Sequence, residues 1–225
     1  MTSRYATDPV ATQVIDNLLG RLSRPGEGQT VRCACLGESA RAFLKPFGLG
    51  ADTGAADQAG LVVVGEEPLA PGGAASLQAA ADRGATVLFL PGAPVAEQFG
   101  LQREEQRLFI GRATDSPLLP GLQDGDVYLK AWLTLPVGRS GNGWQEVVAP
   151  GIVTGRAVGD GRLIACELDP RRLGDTRARV KAVRLWNTLL TGLGARREGF
   201  EAFLTPGLSL YEESEWEAMP PYMNW

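Results

Sequence analysis

The stretch LVVVGEEPLAPGGAASLQAAADRGATVLFLPG, residues 61–92, decides the fold class of this chain. It begins with a continuous run of β-branched residues at 61–65, which is typical of a strand covered on both faces. An alanine-rich segment at 72–84 predicts a helix that ends at Gly84. A second apolar run at 85–92 predicts another buried strand. A strand, a helix and a strand in this order predict a right-handed parallel unit.

The flanking segments extend this unit on both sides. Residues 31–37 predict a buried strand, residues 38–47 a short helix, and residues 93–100 another short helix. The second half contains strand-like segments joined by Pro- and Gly-containing turns, with a hairpin signal at Gly159-Asp160-Gly161; they are residues 104–113, 126–137, 144–159 and 161–169. We therefore predict an α/β fold whose sheet is mostly parallel and doubly wound, with an antiparallel hairpin extension in the second half.

A helix is predicted before the first strand, at residues 9–22. Asp8 is a good N-cap, Pro9 occupies the first helical position, and the apolar residues recur on one face. A second predicted helix, at 176–193, resembles it at a constant offset that aligns Leu18, Leu19 and Leu22 with Leu189, Leu190 and Leu193. Two explanations of this likeness are open: an internal repeat, or the leucine stripe that amphipathic helices have in common. If the repeat is real, residues 1–24 are the remnant of a preceding domain.

The last segment, residues 196–225, is both acidic and aromatic. A solvated disordered tail has few aromatic residues. We therefore expect four of its side chains to dock onto a partner or onto this domain: Tyr211, Trp216, Tyr222 and Trp225. The predicted organisation is an N-terminal helix at 1–24, an α/β domain at 30–195 and a docking tail at 196–225.

Composition excludes several classes of function. The 225 residues carry a net charge of −4, whereas binding to nucleic-acid phosphates needs a basic face. No apolar run approaches the roughly 18–20 residues of a membrane span. Asp8 and Asp16 interrupt the only segment that could act as a signal sequence. We expect a soluble chain without a signal peptide of its own and without a nucleic-acid or membrane partner.

The chain contains no histidine. This removes Ser-His-Asp and Cys-His triads, and also every His-ligated metal site. Its cysteines are Cys33, Cys35 and Cys166, an odd number that does not suggest a disulfide framework. Three thiols without histidine make a poor zinc site, and we interpret them as small buried strand residues. We predict neither a metal site nor a cofactor.

Ligands of doubly wound sheets bind beyond the carboxyl ends of the strands. Those ends are predicted at Gly37-Glu38-Ser39, Gly65-Glu66-Glu67 and Pro91-Gly92-Ala93, and none has the spacing of a phosphate-binding loop or of a nucleophile elbow. Glu66 and Glu67 are adjacent, so a glycosidase pair would need a distant acid such as Glu38 or Asp169. Solvated loop carboxylates are the ordinary explanation, and we predict no catalytic residue.

Tryptophan side chains are candidates for stacking on sugar rings. Trp132 and Trp144 lie within or beside predicted strands, where they could stack on a saccharide or fill the core or an interface. Trp186 lies on the apolar face of its helix and is predicted to belong to the core.

Four segments together resemble a known domain family. They are residues 61–92, SPLLPGLQDGDVYL at 116–129, GDGRLIACELDP at 159–170 and RLWNTLLTGLGA at 184–195. Their order resembles the class I glutamine-amidotransferase-like, flavodoxin-like domain at the C-terminal side of bacterial glycoside hydrolases of the β-galactosidase superfamily. The resemblance covers roughly residues 30–195, and its motifs are structural rather than catalytic. PPYMNW at 220–225 also resembles the ending of several such hydrolases.

The resemblance implies an accessory domain behind a TIM-barrel catalytic domain that this chain does not contain. The catalytic Cys and His of amidotransferases have no counterparts here, so no catalytic role is carried over. We therefore expect a non-catalytic accessory or assembly domain, or a separate subunit, whose partners are a glycosidase catalytic domain or subunit, a carbohydrate or a second copy of the chain. The alternatives are a carbohydrate-binding module that uses Trp132 or Trp144, and a free-standing hydrolase with a carboxylate or cysteine site.

Overall fold

The computed structural model describes residues 31–49 and 58–195 of the chain. The predicted helix at 9–22 and the predicted docking tail lie outside the described residues, as do the four docking residues Tyr211, Trp216, Tyr222 and Trp225. The domain organisation, the internal repeat and the docking of the tail therefore stay predictions.

The described residues form nine β-strands and four α-helices. The strands are β1 (Cys33–Leu36), β2 (Leu61–Val64), β3 (Thr86–Phe89), β4 (Gln102–Ile110), β5 (Arg112–Ala113), β6 (Tyr128–Arg139), β7 (Gln145–Ala149), β8 (Val153–Val158) and β9 (Gly161–Cys166). The helices are α1 (Glu38–Leu44), α2 (Gly73–Asp82), α3 (Val95–Gln98) and α4 (Thr176–Gly192). None of these helices is long and apolar enough to cross a membrane.

Seven of the strands form one mixed sheet in the order β1-β2-β3-β9-β8-β7-β5. The first four run parallel, with Cys35 beside Val63, Val63 beside Leu88, and β3 beside β9. The last four are joined by antiparallel pairings. The two long strands β4 and β6 pair only with each other among the described strands, and we call this antiparallel pair the ribbon.

The prediction of a mostly parallel, doubly wound, flavodoxin-like sheet is wrong. Half of the pairings in the large sheet are antiparallel, and the ribbon is a second, fully antiparallel sheet. The reason lies in the connections, because short turns such as that at residues 159–160 can join only antiparallel neighbours, whereas parallel strands need long crossovers. The predicted hairpin extension is therefore half of the large sheet, and the strands hold more of the described residues than the helices.

The large sheet is covered on both faces. Alternating residues of β2 point to opposite sides, with Leu61 and Val63 in one apolar cluster and Val62 and Val64 in the other. The first cluster includes residues of α1, α4 and the ribbon, and the second includes residues of α2 and α3. Two apolar layers on a central sheet explain why β2 is a continuous apolar run.

Two predictions about buried residues are confirmed. Trp186 is fully buried, and its indole N–H donates to the carbonyl oxygen of Leu168 at 2.7 Å. The three cysteines, Cys33, Cys35 and Cys166, are free thiols and are buried in the strands of the large sheet. Burial raises the pKa of the Cys166 thiol far above its usual range.

One glycine contact joins the ribbon to the large sheet. The backbone N–H of Gly138 in β6 donates to the carbonyl oxygen of Gly151 at 2.9 Å. Gly151 has a φ of 70°, and a Cβ atom there would overlap the carbonyl group of Gly138. Glycine is therefore needed at this crossing for both its backbone conformation and its lack of a side chain.

Candidate functional site

The carboxyl ends of β1, β2 and β9 meet at one edge of the large sheet, because these strands run in the same direction. Ser39 follows β1, Glu66 and Glu67 follow β2, and Asp169 follows β9. The polar side chains that the sequence places after its strands are therefore brought together. We call the group formed by Ser39, Glu66, Glu67, Asp169, Arg171 and Arg172 the strand-end network.

Ser39 and Glu67 connect the turns that follow β1 and β2. The hydroxyl group of Ser39 donates to Oε2 of Glu67 at 2.5 Å, and its backbone N–H donates to Oε1 at 2.7 Å. The same hydroxyl oxygen accepts the backbone N–H of Glu66 at 2.8 Å. These hydrogen bonds from Ser39, the hydroxyl bond first, hold the pKa of Glu67 below its usual range.

Two arginines connect Glu66 to Asp169. Arg171 contacts Oε1 of Glu66 at 3.0 Å and Oδ2 of Asp169 at 2.9 Å. Arg172 contacts the remaining oxygen of Glu66 at 2.8 Å and Oδ2 of Asp169 at 3.2 Å. Oδ1 of Asp169, whose side chain is only 4% exposed, accepts the backbone N–H of Arg171 at 2.9 Å. Both carboxylates are thus engaged at both of their oxygens.

Arg171 also packs against the apolar core of the protein. Its guanidinium carbon lies 4.8 Å from the centre of the Phe43 ring in α1, within the range of a cation–π contact. The hydrogen bond and charge of Asp169 raise the pKa of Arg171 above its usual value. The strand-end network therefore joins β2, the turn after β9 and α1 through one always-charged side chain.

This arrangement does not support a carboxylate pair of the glycosidase type. The acid of such a pair must offer a proton to the leaving oxygen while the second carboxylate faces the sugar. Here the oxygens of Glu66 and Asp169 accept from shared arginines, and Glu38, the other predicted candidate, is exposed and pairs with Arg41 at 3.0 Å. The geometry is that of a cross-link between loops.

A second charged group at the strand ends was missed by the sequence analysis. The side chain of Glu167, directly after β9, is only 1% exposed and contacts Nε of Arg103 at 2.8 Å. Its other oxygen accepts the backbone N–H of Gly92, after β3, at 3.3 Å. Arg103 and Glu167 are far apart in sequence and belong to segments that look like ordinary strands, so no local pattern indicates the pair.

Trp144 is not available for stacking on a sugar. It is 2% exposed, lies in the apolar cluster under α2 and α3, and its indole N–H donates to the carbonyl oxygen of Phe99 at 3.1 Å. Its ring also lies 6.4 Å from that of Phe89. Because both the ring and its N–H are used inside the core, Trp144 fills the core, and the alternative of sugar stacking at Trp144 is wrong.

Trp132 has the opposite environment. It is 62% exposed on the ribbon, where its ring centre lies 5.1 Å from that of Phe109 and 5.1 Å from the guanidinium carbon of Arg107. Phe109 also contacts the ring of Tyr128 edge-on at 5.0 Å. Ile110, 53% exposed, is opposite Tyr128 in the register of the ribbon. We call these four residues, Phe109, Ile110, Tyr128 and Trp132, the ribbon face.

The pairing of β4 with β6 is irregular where two consecutive residues of β4 share the ribbon face. The register of β4 and β6 shifts between Leu108 and Ile110. The step from Leu108 to Ile110 in β4 corresponds to the longer step from Leu133 to Tyr128 in β6, so the extra residues lie in β6 and the regular alternation of side chains is interrupted. Leu108 therefore stays buried in the core while Phe109 and Ile110 lie on the side of Tyr128. Among the described residues, Ile110 and Trp132 are the large hydrophobic side chains with substantial exposure.

The comparisons with known proteins are sparse. No protein-family model matches this chain, and no curated protein is detectably similar to it. A β-galactosidase from Rahnella sp. R3 is structurally similar over 71% of this chain and 27% of its own, with 13% identity and a TM-score of 0.47. A cytoplasmic protein from Salmonella typhimurium is similar over 63% of this chain and 74% of its own, with 12% identity and a TM-score of 0.43.

These likenesses are too weak to define the fold or the activity of the chain, which spans about a quarter of the length of the β-galactosidase. A glycoside hydrolase is thus among the structural neighbours, but the amidotransferase-like, flavodoxin-like fold implied by the sequence resemblance is not supported. Among the residues that the structure describes, no cluster of three or more metal-ligating side chains occurs.

Proposed function

We propose that this chain is a non-catalytic accessory or assembly module of a bacterial glycoside hydrolase, and that it acts by packing against the catalytic part. The observation that carries the proposal is the ribbon face. Its exposed members, Ile110 and Trp132, lie on neighbouring strands and are connected through Phe109 and Tyr128. The link to glycoside hydrolases comes from the sequence resemblance.

The energetics of the ribbon favour a covered outer face. Its inner face contributes Leu108, Leu129 and Val137 to the core, whereas its outer face leaves Trp132 and Ile110 to solvent. Burying a large apolar side chain contributes roughly 1.5–3 kcal/mol. Clustered exposed apolar residues on an otherwise polar surface are characteristic of interaction sites. A partner that covers both side chains would therefore gain several kcal/mol before the costs of association.

The strand-end network supports the non-catalytic part of the proposal. This edge is where ligands of parallel sheets usually bind. Here Glu66, Asp169 and the two arginines neutralise one another, and Glu67 is held by Ser39. No carboxylate of this network is left to act as an acid beside a free base.

The experiment uses the catalytic domain of a glycoside hydrolase encoded beside this chain. We expect the two to associate in sedimentation-velocity experiments, and we expect Trp132→Ala to weaken that association at least tenfold. Arg83→Ala, an exposed change at the end of α2, serves as the control and should leave association unchanged. The absence of a glycosidase domain from the neighbouring coding sequence, or equal association of both variants, would contradict the proposal.

The isolated chain provides a second test. We expect no turnover of aryl glycosides, because the strand-end network contains no free acid and base. Turnover that a single carboxylate substitution abolishes would contradict the non-catalytic role. Removal of residues 209–225 should weaken association with the partner if the predicted docking tail contributes to it.

A carbohydrate-binding role remains the second candidate, since the exposure of Trp132 favours it. In that case Trp132→Ala should abolish binding to a polysaccharide panel without unfolding the chain. Flat calorimetric titrations of the unmodified chain against the panel would eliminate this candidate.

A further inference from the structure

An open cavity of about 570 Å³ lies between α3, the start of β4 and the loop that follows β6. Its lining includes Glu97, Leu101, Gln102, Arg103, Arg139 and Asn142. Its volume is within the range of small-molecule sites, roughly 300–1,000 Å³. We call it the α3–β4 cavity. It is separate from the ribbon face and from the strand-end network.

The buried part of the cavity is a fixed guanidinium group. Arg103 contacts Oε1 of Glu167 at 2.8 Å, the carbonyl oxygen of Ala93 at 3.0 Å and Oε1 of Glu97 at 3.3 Å. Its side chain is only 13% exposed. Three acceptors from three different segments hold this side chain in one orientation, so a ligand would not have to order it. Glu167 and Ala93 also place the cavity beside the carboxyl ends of β9 and β3, the usual edge for ligands.

The rim of the cavity consists of planar polar groups. Asn142 has a φ of 50°, which asparagine tolerates better than most residues, and its Nδ2 donates to the carbonyl oxygen of Gly100 at 3.2 Å. That contact leaves the amide oxygen of Asn142 as an acceptor. Gln102 is exposed beside it. The rim therefore offers both donors and acceptors to a ligand.

The charged side chains around the cavity all have partners of opposite sign, and three carboxylates share two arginines. Arg103 is paired with Glu167 and Glu97, and Arg139 contacts Oε2 of Glu104 at 3.3 Å. An anion would meet arginines that already have carboxylate partners, and a cation would meet carboxylates that already have arginines. A neutral ligand with several hydroxyl groups fits better, because each hydroxyl both donates and accepts.

We infer that the α3–β4 cavity binds a neutral saccharide of one or two rings. The choice of a saccharide among neutral polyhydroxylated ligands rests on the proposed function, and the recognition itself rests on the lining. Arg103, Gln102 and Asn142 form hydrogen bonds with the ring hydroxyls. The module would thereby hold a glycan next to the catalytic part with which it associates.

The test is a titration of the ¹⁵N-labelled full chain with the methyl glycosides of glucose, galactose and xylose. Glucuronate and inorganic phosphate serve as charged probes. We expect at least one neutral glycoside to produce saturable shifts of the amide signals of Gly100 and Asn142, and we expect the charged probes to produce none at equal concentration. No saturable shift with any neutral glycoside, or stronger binding of a charged probe, overturns the inference.

Two variants locate the binding. Gln102→Ala and Asn142→Gly remove rim amides, and the glycine retains the positive φ at residue 142. We expect each to weaken glycoside binding at least tenfold. Gln98→Ala changes an exposed amide of α3 outside the lining and should bind as the unmodified chain does. Unchanged affinity in both cavity variants overturns the inference.

The same variants separate this inference from the proposed function. Neither Gln102 nor Asn142 belongs to the ribbon face, so both variants should associate normally with the catalytic domain. Loss of glycoside binding with normal association supports both proposals. Normal association without glycoside binding in the unmodified chain eliminates the saccharide site alone.

Discussion

The strand-end network and the ribbon face differ in how their side chains are satisfied. In the network, Glu66 and Asp169 share two arginines, and Glu67 accepts twice from Ser39. On the ribbon face, Trp132 and Ile110 remain largely exposed. The edge that usually binds ligands is thus used to join loops, and the surface with unsatisfied apolar area lies on the separate antiparallel sheet. Residue types at a usual site therefore do not reveal a function until their partners are known.

The largest expected effect separates the two tryptophans that the sequence analysis treated alike. Trp144→Ala should lower the free energy of unfolding by about 3–5 kcal/mol, because it leaves a large cavity in the core. Trp132→Ala should lower it by less than about 1 kcal/mol, since a surface substitution removes few buried contacts. Urea denaturation monitored by circular dichroism measures both. Similar losses in the two variants would show that the ribbon face is not an exposed surface.

A second contrast tests the buried ion pair after β9. Arg103→Ala leaves the carboxylate of Glu167 buried without its cation. We therefore expect the free energy of unfolding to fall by about 3 kcal/mol. Arg139→Ala breaks the contact with Glu104, in which both side chains are well exposed, and should cost at most about 1 kcal/mol. Chemical denaturation of the two variants at neutral pH provides the comparison. Equal decreases in the free energy of unfolding would mean that the buried pair stabilises the fold no more than the exposed pair does.

A substitution in the strand-end network should reduce stability less, because the arginines released by it can be hydrated. Asp169→Asn removes a charge that accepts from Arg171 and Arg172, and we expect a loss of about 1–2 kcal/mol. Glu38→Gln, in the exposed pair with Arg41, is the control and should change stability by no more than about 0.5 kcal/mol. Thermal unfolding distinguishes the two. A neutral result for Asp169→Asn would contradict the description of this network as a cross-link.

The smallest expected effect depends on pH. Since the pKa of Glu67 is lowered in the folded state, its stabilising contribution is present above the ordinary carboxyl pKa of 4.5 and is lost as the pH falls through the folded pKa. Ser39→Ala should raise the pKa of Glu67 towards its ordinary value, as a carboxyl-carbon NMR titration would show. The variant should be less stable than the unmodified chain at neutral pH, and this difference should shrink in acid. A difference that is independent of pH would exclude the contribution of Glu67.

Local sequence predicted a useful part of this structure. The apolar runs at 61–65 and 85–92 are the parallel strands β2 and β3, and the alanine-rich segment between them is α2. The helix predicted at 176–193 is α4, whose N-cap Asp175 accepts the backbone N–H of Ala178 at 3.0 Å. These elements were predictable because hydrophobic period, capping residues and turn residues act within a few positions along the chain.

The partners of the strands were not predictable in the same way. The strand-like segments at 104–113 and 126–137 contain most of β4 and β6, but no local pattern shows that these two strands pair with each other while residues 112–113 form β5 in the large sheet. The contact of Arg103 with Glu167 likewise joins residues whose neighbours in sequence look ordinary. The pairing of β4 with β6 and the contact of Arg103 with Glu167 depend on the register and direction of strands that are distant in sequence. Those are decided by how the apolar residues of all the elements pack together.

The sequence by itself determined the existence of the parallel strands, the absence of histidine chemistry and the burial of Trp186 on its helix. Only the tertiary structure decided that Trp144 fills the core while Trp132 is exposed, and that the carboxylates at the strand ends are paired with arginines. The physical reason is that the periodicity of apolar residues shows on which side of its own helix or strand a side chain lies. Which faces are covered depends on where the other elements pack.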